Sequence, residues 1–128
     1  MKYIKSLFAS AALLLLAQLS FAAGTISVND LAQKIDAGKA PMIIDVRSED
    51  EYLAGHVPNA KLIPHDKIGD YTDSLAAQKD EPIVVYCKSG KRANAAVDAL
   101  EKAGFKKISV LEGSFDAWQS AGKPVSKK

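Results

Sequence analysis

The chain has 128 residues and a formal net charge of +2, from 17 basic and 15 acidic residues. Lys2 and Lys5 lie in an N-terminal segment that we predict to be removed, which leaves 15 basic residues against 15 acidic ones. A balanced chain gives no electrostatic reason to expect binding to nucleic acid or to a membrane surface. With only one cysteine, Cys87, the chain has no internal disulfide.

The first residues have the organisation of a secretory signal peptide. A basic start is followed by an apolar run from Leu7 to Leu16, which is too short to span a bilayer. Small residues at Ser20 and Ala22 suit signal peptidase. We therefore predict cleavage after Ala22 or the next residue and export to the periplasm, with an uncleaved anchor as the alternative. Residues 23–128 then form a single domain of 106 residues.

The remaining chain alternates between helical patterns and short β-rich runs, which is typical of an α/β domain. Asp30–Ala37 has apolar residues at helical spacing, with Asn29 or Asp30 as the cap and Gly38 as the stop. Met42–Val46 is an almost continuous apolar run, as expected of a strand that is buried on both faces of a parallel sheet.

The middle of the chain is predicted to be less regular. Ser48, followed three residues later by Glu51, has the capping-box spacing and begins a short helix that ends at Gly55. Ala60–Ile63 reads as a brief strand. The polar stretch from Pro64 to Asp80 is expected to hold one or two irregular helical turns.

The second half of the chain has the clearest elements. Pro82–Tyr86 is a β-rich run, with its proline only at the start, and it leads directly into Cys87. Arg92–Ala103 places its apolar residues on one helical face, and Lys107–Leu111 is the last predicted strand. A final short helix is expected after Gly113. Its two aromatic residues are predicted to anchor the core rather than to bind a ligand: Phe115 and Trp118.

A six-residue loop joins the strand to the helix and carries the chemistry: Cys87, Lys88, Ser89, Gly90, Lys91 and Arg92. Such a loop at a helix N-terminus directs successive backbone N–H groups at one point, which favours an anion. Gly90 lets the backbone turn, and the two lysines and the arginine add three positive charges. We therefore predict an exposed Cys87 at the mouth of an anion-binding loop, ionised to the thiolate at neutral pH.

Four segments together resemble the rhodanese homology domain, in that family's order: Ile43–Arg47, Glu51–Ala60, Ile83–Cys87 with its loop, and Val110–Trp118. The resemblance implies an open, mainly parallel sheet of about five strands with helices on both faces. It also implies that Cys87 takes sulfane sulfur from thiosulfate as a persulfide and passes it to cyanide or a thiol. The substrate-binding residues it implies are those of the rest of the loop: Lys88, Ser89, Gly90, Lys91 and Arg92.

Two departures from the family pattern stand in this chain. Asn59 replaces a glycine that many relatives have, and asparagine tolerates a left-handed backbone better than most residues, so we expect the turn to be kept. The loop is also more basic than in many members, which favours a small dianion such as thiosulfate as the donor.

The sequence favours sulfur transfer over three other functions. Related phosphatases have a loop that is one residue longer, because a phosphate needs the larger ring. A thiol–disulfide oxidoreductase would have a second cysteine where this chain has Ser89 or Gly90. A non-catalytic binding or sensing module of the same fold remains the alternative, although the retained Cys87 favours the enzyme.

The remaining polar residues are predicted to be structural. Asp45 and Arg47 follow a strand and are expected to form an ion pair, with orientation of the cysteine loop by Asp45 as a secondary hypothesis. His56 is expected to bond to local backbone groups, and its spacing to His65 and Cys87 is unlike that of a zinc site. We predict a monomer with a small-molecule donor and acceptor, and neither a metal nor a cofactor.

Overall fold

The computed structural model describes residues 23–128. The predicted signal peptide lies outside the described residues, and export stays a prediction. The strands are β1 (Gly24–Ile26), β2 (Met42–Asp45), β3 (Lys61–Leu62), β4 (Ile83–Tyr86) and β5 (Ile108–Leu111). The helices are α1 (Val28–Asp36), α2 (Glu49–Ala54), α3 (Ile68–Tyr71), α4 (Lys91–Lys102) and α5 (Ser114–Ser120), with a 3-10 turn at Ala76–Gln78. None of the helices in residues 23–128 combines the length and the apolar character needed to cross a bilayer.

All five strands pair in parallel, in the order β1-β5-β4-β2-β3. The two central strands, β2 and β4, end at Asp45 and Tyr86, which are partners in the register. In open parallel sheets, ligands bind beyond the carboxyl ends of the strands. The predicted α/β fold is therefore confirmed, and the central strands deliver their following residues to the edge where a site is expected.

The central strands bury both faces, as their continuous apolar sequence predicts. Ile44 and Val85 belong to a core layer that includes the buried face of α4. Ile43 and Val84 belong to the opposite layer, with residues of α1 and α5. The final helix supplies two side chains to this second layer, which confirms their predicted core role: Phe115 and Trp118.

Most predicted elements are confirmed, with small shifts at their ends. The cap of α1 is Ser27, whose hydroxyl accepts from the Asp30 N–H at 3.1 Å, so the helix begins earlier than predicted. The capping box of Ser48 and Glu51 is complete. Asn59 has a φ of +71°, as expected for its turn. The strand β1 was not predicted, because it has three residues and pairs only with β5 at the edge of the sheet.

Candidate functional site

Cys87 is the first residue after β4, at the carboxyl edge of the sheet. Its exposed fraction is 1%, and it belongs to the core layer on the α4 side. The expectation of an exposed thiol is therefore wrong. The strand delivers Cys87 from the interior of the sheet, and the following loop folds back over the sulfur, so the residue lies beneath the loop rather than at its mouth.

The first turn of α5 holds the base of this loop. The hydroxyl Oγ of Ser114 accepts from the Cys87 N–H at 3.3 Å. The N–H groups of Phe115 and Asp116 donate to the carbonyl oxygens of Cys87 and Lys88, each at 3.0 Å. Three polar groups at the start of the loop are thus held by one turn of a helix that begins 27 positions later.

These contacts decide where the loop's own N–H groups point. In a trans peptide the C=O and the N–H point in opposite directions. Because the carbonyls of Cys87 and Lys88 face α5, the N–H groups of Lys88 and Ser89 point away from it. Neither group donates to an acceptor within residues 23–128. These two N–H groups are therefore available to an anion, as an anion-binding loop requires.

A third donor already reaches the sulfur. The Gly90 N–H donates to Cys87 Sγ with a nitrogen-to-sulfur distance of 2.9 Å. Gly90 has a φ of +129°, a conformation that side-chain-bearing residues rarely adopt. The glycine is therefore needed for the turn that aims this N–H group back at the sulfur.

The charges of the loop are largely paired. Lys88 Nζ lies 3.1 Å from a carboxylate oxygen of Asp116, in an exposed ion pair. Arg92 donates to both carboxylate oxygens of Glu51, at 2.7 and 3.1 Å. Lys91 is exposed and has no ion-pair partner in the part of the chain that the structure describes. The three cations expected around the sulfur are thus offset by two carboxylates.

We expect Glu51→Gln to make folding less sensitive to acid. The bond from Arg92 is the main cause that lowers the pKa of Glu51 from 4.5 to about 2. A depressed pKa in the folded state means that ionised Glu51 stabilises the fold above about pH 4.5, and that this stabilisation is lost as the pH falls toward 2. Because the pair is partly exposed, solvent screening limits the contribution to about 1 kcal/mol.

Urea unfolding at pH 6 and pH 3 measures this difference. The wild type should lose about 1 kcal/mol more than Glu51→Gln between the two pH values. Glutamine can keep the capping box, so the change removes the charge and one of the two oxygens that accept from Arg92. Glu49→Gln, in the same helix turn and exposed, is the control. An equal loss of stability in wild type and Glu51→Gln would contradict the lowered pKa of Glu51 as a cause of acid sensitivity.

Asp45 and Arg47 form a buried ion pair at the end of β2, with a nitrogen-to-oxygen distance of 2.7 Å. Arg47 also donates to the Gly55 carbonyl oxygen at 2.7 Å, and its guanidinium lies 4.1 Å from the Phe115 ring centroid. Burial alone would lower the pKa of Arg47, but the hydrogen bonds and charge of Asp45 raise it. The predicted structural ion pair is confirmed.

Tyr86 links this ion pair to the cysteine. Its hydroxyl donates to Asp45 Oδ2 at 2.7 Å and accepts from the Val57 N–H at 3.1 Å. Burial, with the neighbouring Asp45 carboxylate, raises the pKa of Tyr86 well above its usual value, so the hydroxyl stays protonated and donates. The Tyr86 hydroxyl therefore connects Asp45 to the residue before Cys87.

A cleft of about 230 Å³ opens beside the loop. Its lining combines the paired charges with an aromatic floor: Arg47, Glu51, Ala54, Gly55, Lys88, Phe115, Asp116 and Gln119. A larger hollow of about 460 Å³ lies at the amino ends of β2 and β4, lined by Met42 and Ile83 among others. That hollow is on the edge opposite to Cys87, whereas the smaller cleft has Lys88 of the cysteine loop in its lining.

His56 lies in the turn after α2 and bonds to local backbone groups. His56 is buried, stacks on Tyr52 at 3.7 Å between ring centroids, and has its Nδ1 2.8 Å from the Tyr52 carbonyl oxygen. This matches the predicted role of bonding local backbone. Within residues 23–128, no three side chains among His, Cys, Asp and Glu come close enough to hold a metal ion.

Two residues near the sulfur were missed as site residues by the sequence reasoning. Ser114 bonds the amide of Cys87, and Glu51, which was noted for its cap, also binds Arg92. Nothing in the sequence signals these contacts, because the partners are 27 and 41 positions apart. The structure brings the predicted residues Cys87 to Arg92 together in one loop, with Asp45 and Arg47 beneath it.

Comparison with known proteins agrees with this geometry. The rhodanese-like domain family matches residues 27–121. The chain is 33% identical over 79 residues to the thiosulfate sulfurtransferase GlpE of Coxiella burnetii, covering 62% of this chain and 72% of that protein. It is 34% identical over 100 residues to the probable adenylyltransferase/sulfurtransferase MoeZ of Mycobacterium tuberculosis, covering 78% of this chain. It spans only 26% of that longer relative.

A solved structure of the same family resembles this chain in fold. The crystal structure of a rhodanese-like domain protein from Staphylococcus aureus superposes with a TM-score of 0.71 at 34% identity, covering 82% of this chain and 98% of that one. The family match spans the sheet, the cysteine loop and α5. The chain therefore belongs to the rhodanese-like domain family and is related to its sulfurtransferases.

Proposed function

We propose that this protein transfers sulfane sulfur from thiosulfate to a thiol or to cyanide, through a persulfide on Cys87. The observation that carries the proposal is the sulfur's own environment. One N–H donor, from Gly90, reaches Sγ at 2.9 Å, and the N–H groups of Lys88 and Ser89 in the same loop have no acceptor among residues 23–128. Donors of this kind stabilise negative charge, such as that on the outer sulfur of a persulfide. The relationship to a protein named thiosulfate sulfurtransferase supports the choice of donor.

In the loading step the Cys87 thiolate attacks the outer sulfur of thiosulfate. A sulfur–sulfur bond forms to Sγ, the sulfur–sulfur bond of thiosulfate breaks, and sulfite leaves with the electron pair. The persulfide that remains carries its negative charge on the outer sulfur. The unused N–H groups of Lys88 and Ser89 are the donors that stabilise this charge.

The transfer step returns the enzyme to its starting state. A thiolate or cyanide attacks the outer sulfur, which leaves as a persulfide or thiocyanate, and the electron pair of the broken bond returns to Cys87. Since Cys87 is 1% exposed, the loop has to open for the donor and the acceptor to reach Sγ. A small sulfur anion enters such an opening more easily than the thiol of a folded protein.

The ion pairs of the loop limit how much its side chains can attract thiosulfate. Lys88 and Arg92 are engaged by carboxylates, so the backbone N–H groups and Lys91 supply most of the attraction for a dianion. The exposed Lys88–Asp116 pair is weak in water and can open to admit a ligand. We infer that thiosulfate is bound chiefly by the loop backbone, in a monomer that acts in the periplasm.

The intact mass of the purified protein, measured before and after incubation with thiosulfate, tests the proposal. The wild type should gain roughly 32 Da, the mass of one sulfur, and lose it again on addition of cyanide or a thiol. Cys87→Ser, treated alongside, should gain nothing. If wild type with a titrated free thiol gains no mass, thiosulfate is not the donor, and the non-catalytic binding module becomes the better explanation.

A further inference from the structure

Ser114, at the first position of α5, has an unusual backbone. Its φ is +52°, and it is one of two non-glycine residues with positive φ in the described part of the chain. This left-handed region is costly for a residue with a Cβ and is retained where the surroundings demand it. Ser114 is also completely buried, with an exposed fraction of 0%. Glycine would adopt this backbone at less cost, so the serine side chain needs a reason.

The hydroxyl supplies that reason. Ser114 Oγ accepts from the backbone N–H of Cys87 at 3.3 Å, and Cys87 is itself buried. Without this acceptor, the Cys87 N–H would be a buried donor with no partner, which is unfavourable. The left-handed turn at Gly113 and Ser114 also directs the next two N–H groups of α5 at the carbonyls of Cys87 and Lys88.

We propose that Ser114 is a positioning residue for sulfur transfer, which fixes the Cys87 amide so that the loop donors converge on the sulfur. The peptide that carries this amide joins Tyr86 to Cys87, and its rotation would move Sγ relative to the Gly90 N–H. The carbonyl oxygen of that peptide accepts from the Val46 N–H at 3.0 Å, and the Ser114 hydroxyl holds its N–H side from outside the loop. This inference rests on the proposed function of Cys87, and the experiment is chosen to separate the two.

Two substitutions and one control form the test. Ser114→Ala removes the hydroxyl and keeps the strained backbone, whereas Ser114→Gly removes the hydroxyl and relaxes the backbone. Ser120→Ala changes an exposed serine of the same helix, which lies outside the site. Three measurements are made on the full chain: the rate of sulfur loading over a range of thiosulfate concentrations, the rate of Cys87 alkylation by iodoacetamide, and the Cys87 amide resonance in a ¹H–¹⁵N spectrum.

Both Ser114 variants should load sulfur about tenfold more slowly at saturating thiosulfate, the size expected for one hydrogen bond, while the half-saturating concentration changes little. The Cys87 amide proton should move upfield, and the alkylation rate should change in both variants. Ser120→Ala should match the wild type in all three measurements. This pattern separates positioning from simple stability, because the glycine variant relieves strain and still loses rate.

Two results would overturn the inference. One is a wild-type loading rate and an unshifted Cys87 amide in both Ser114 variants. The other is a slow alanine variant beside a glycine variant of full rate, which would assign the effect to backbone strain. If the wild type takes no sulfur from thiosulfate, the proposed donor is wrong. The alkylation rate and the Cys87 amide resonance still test the positioning role. Changes in both Ser114 variants would support that role, and unchanged values would refute it.

Discussion

Replacement of Arg47 by methionine should lower the free energy of unfolding by about 3–5 kcal/mol, because it leaves a buried charge without its partner. The Asp45 side chain is 0% exposed and the Arg47 side chain 5% exposed, so water cannot take the place of the guanidinium. The carboxylate would keep its bonds from the Tyr86 hydroxyl and the residue 47 backbone N–H. Those donors carry no charge. The loss is a large part of the roughly 5–15 kcal/mol typical of a domain.

Urea unfolding of Arg47→Met, Asp45→Asn and the double variant measures the pair directly. The double variant should be more stable than the sum of the two single losses predicts, by about 1–3 kcal/mol, because it removes both charges together. Lys106→Met is the matched control, since Lys106 and Asp80 form an ion pair at 3.9 Å with both side chains largely exposed. That change should cost less than about 0.5 kcal/mol.

The same variants test whether Asp45 serves the cysteine loop. Asp45 accepts from the hydroxyl of Tyr86, the residue before Cys87, so loss of the carboxylate should disturb the base of the loop as well as the core. Asp45→Asn is therefore expected to lower both stability and the rate of sulfur loading. If Asp45→Asn left both unchanged, Asp45 would have neither role.

A loss of unfolding free energy below about 1 kcal/mol in Arg47→Met would show that the Asp45–Arg47 pair is not desolvated.

The elements that the sequence predicts well are those whose pattern is local. Ile83–Tyr86 is an unbroken apolar run, and the residues of α4 repeat with helical spacing, so both are confirmed with ends shifted by at most a residue or so. The capping box of Ser48 and Glu51 spans four residues and is complete. Each of these features depends on neighbours in the chain, which is why periodicity and cap chemistry suffice.

The features that escaped prediction depend on contacts between distant segments. The edge strand β1 becomes a strand only because β5 offers it hydrogen bonds. The pairing of Arg92 with Glu51 joins residues 41 positions apart, and it turns a cation expected to bind substrate into a partner of α2. Burial of Cys87 depends on how the loop folds over it, which loop composition does not encode. Tertiary packing, rather than local propensity, decides all three.

Gly90→Ala should slow sulfur loading by about 100-fold, the effect of losing one donor to a developing anion. Gly90 has a φ of +129°, and a Cβ placed there would meet nothing within 4 Å. The penalty therefore lies in the backbone rather than in a clash. To relieve it, the loop must turn at residue 90, which withdraws the N–H group that now lies 2.9 Å from Cys87 Sγ. Rapid-quench mass spectrometry of the thiosulfate reaction measures the loading rate.

Gly38→Ala is the matched control for this change. Gly38 follows α1, has a φ of +71°, and would also place its Cβ in open space, but it lies far along the chain from the loop and takes no part in it. Both variants should lose about 1–2 kcal/mol of stability from the strained backbone. Only Gly90→Ala should lose loading rate. Equal slowing in both variants would show that backbone strain anywhere in the chain slows loading. A wild-type loading rate in Gly90→Ala would show that the bond from residue 90 to the sulfur contributes nothing to the reaction.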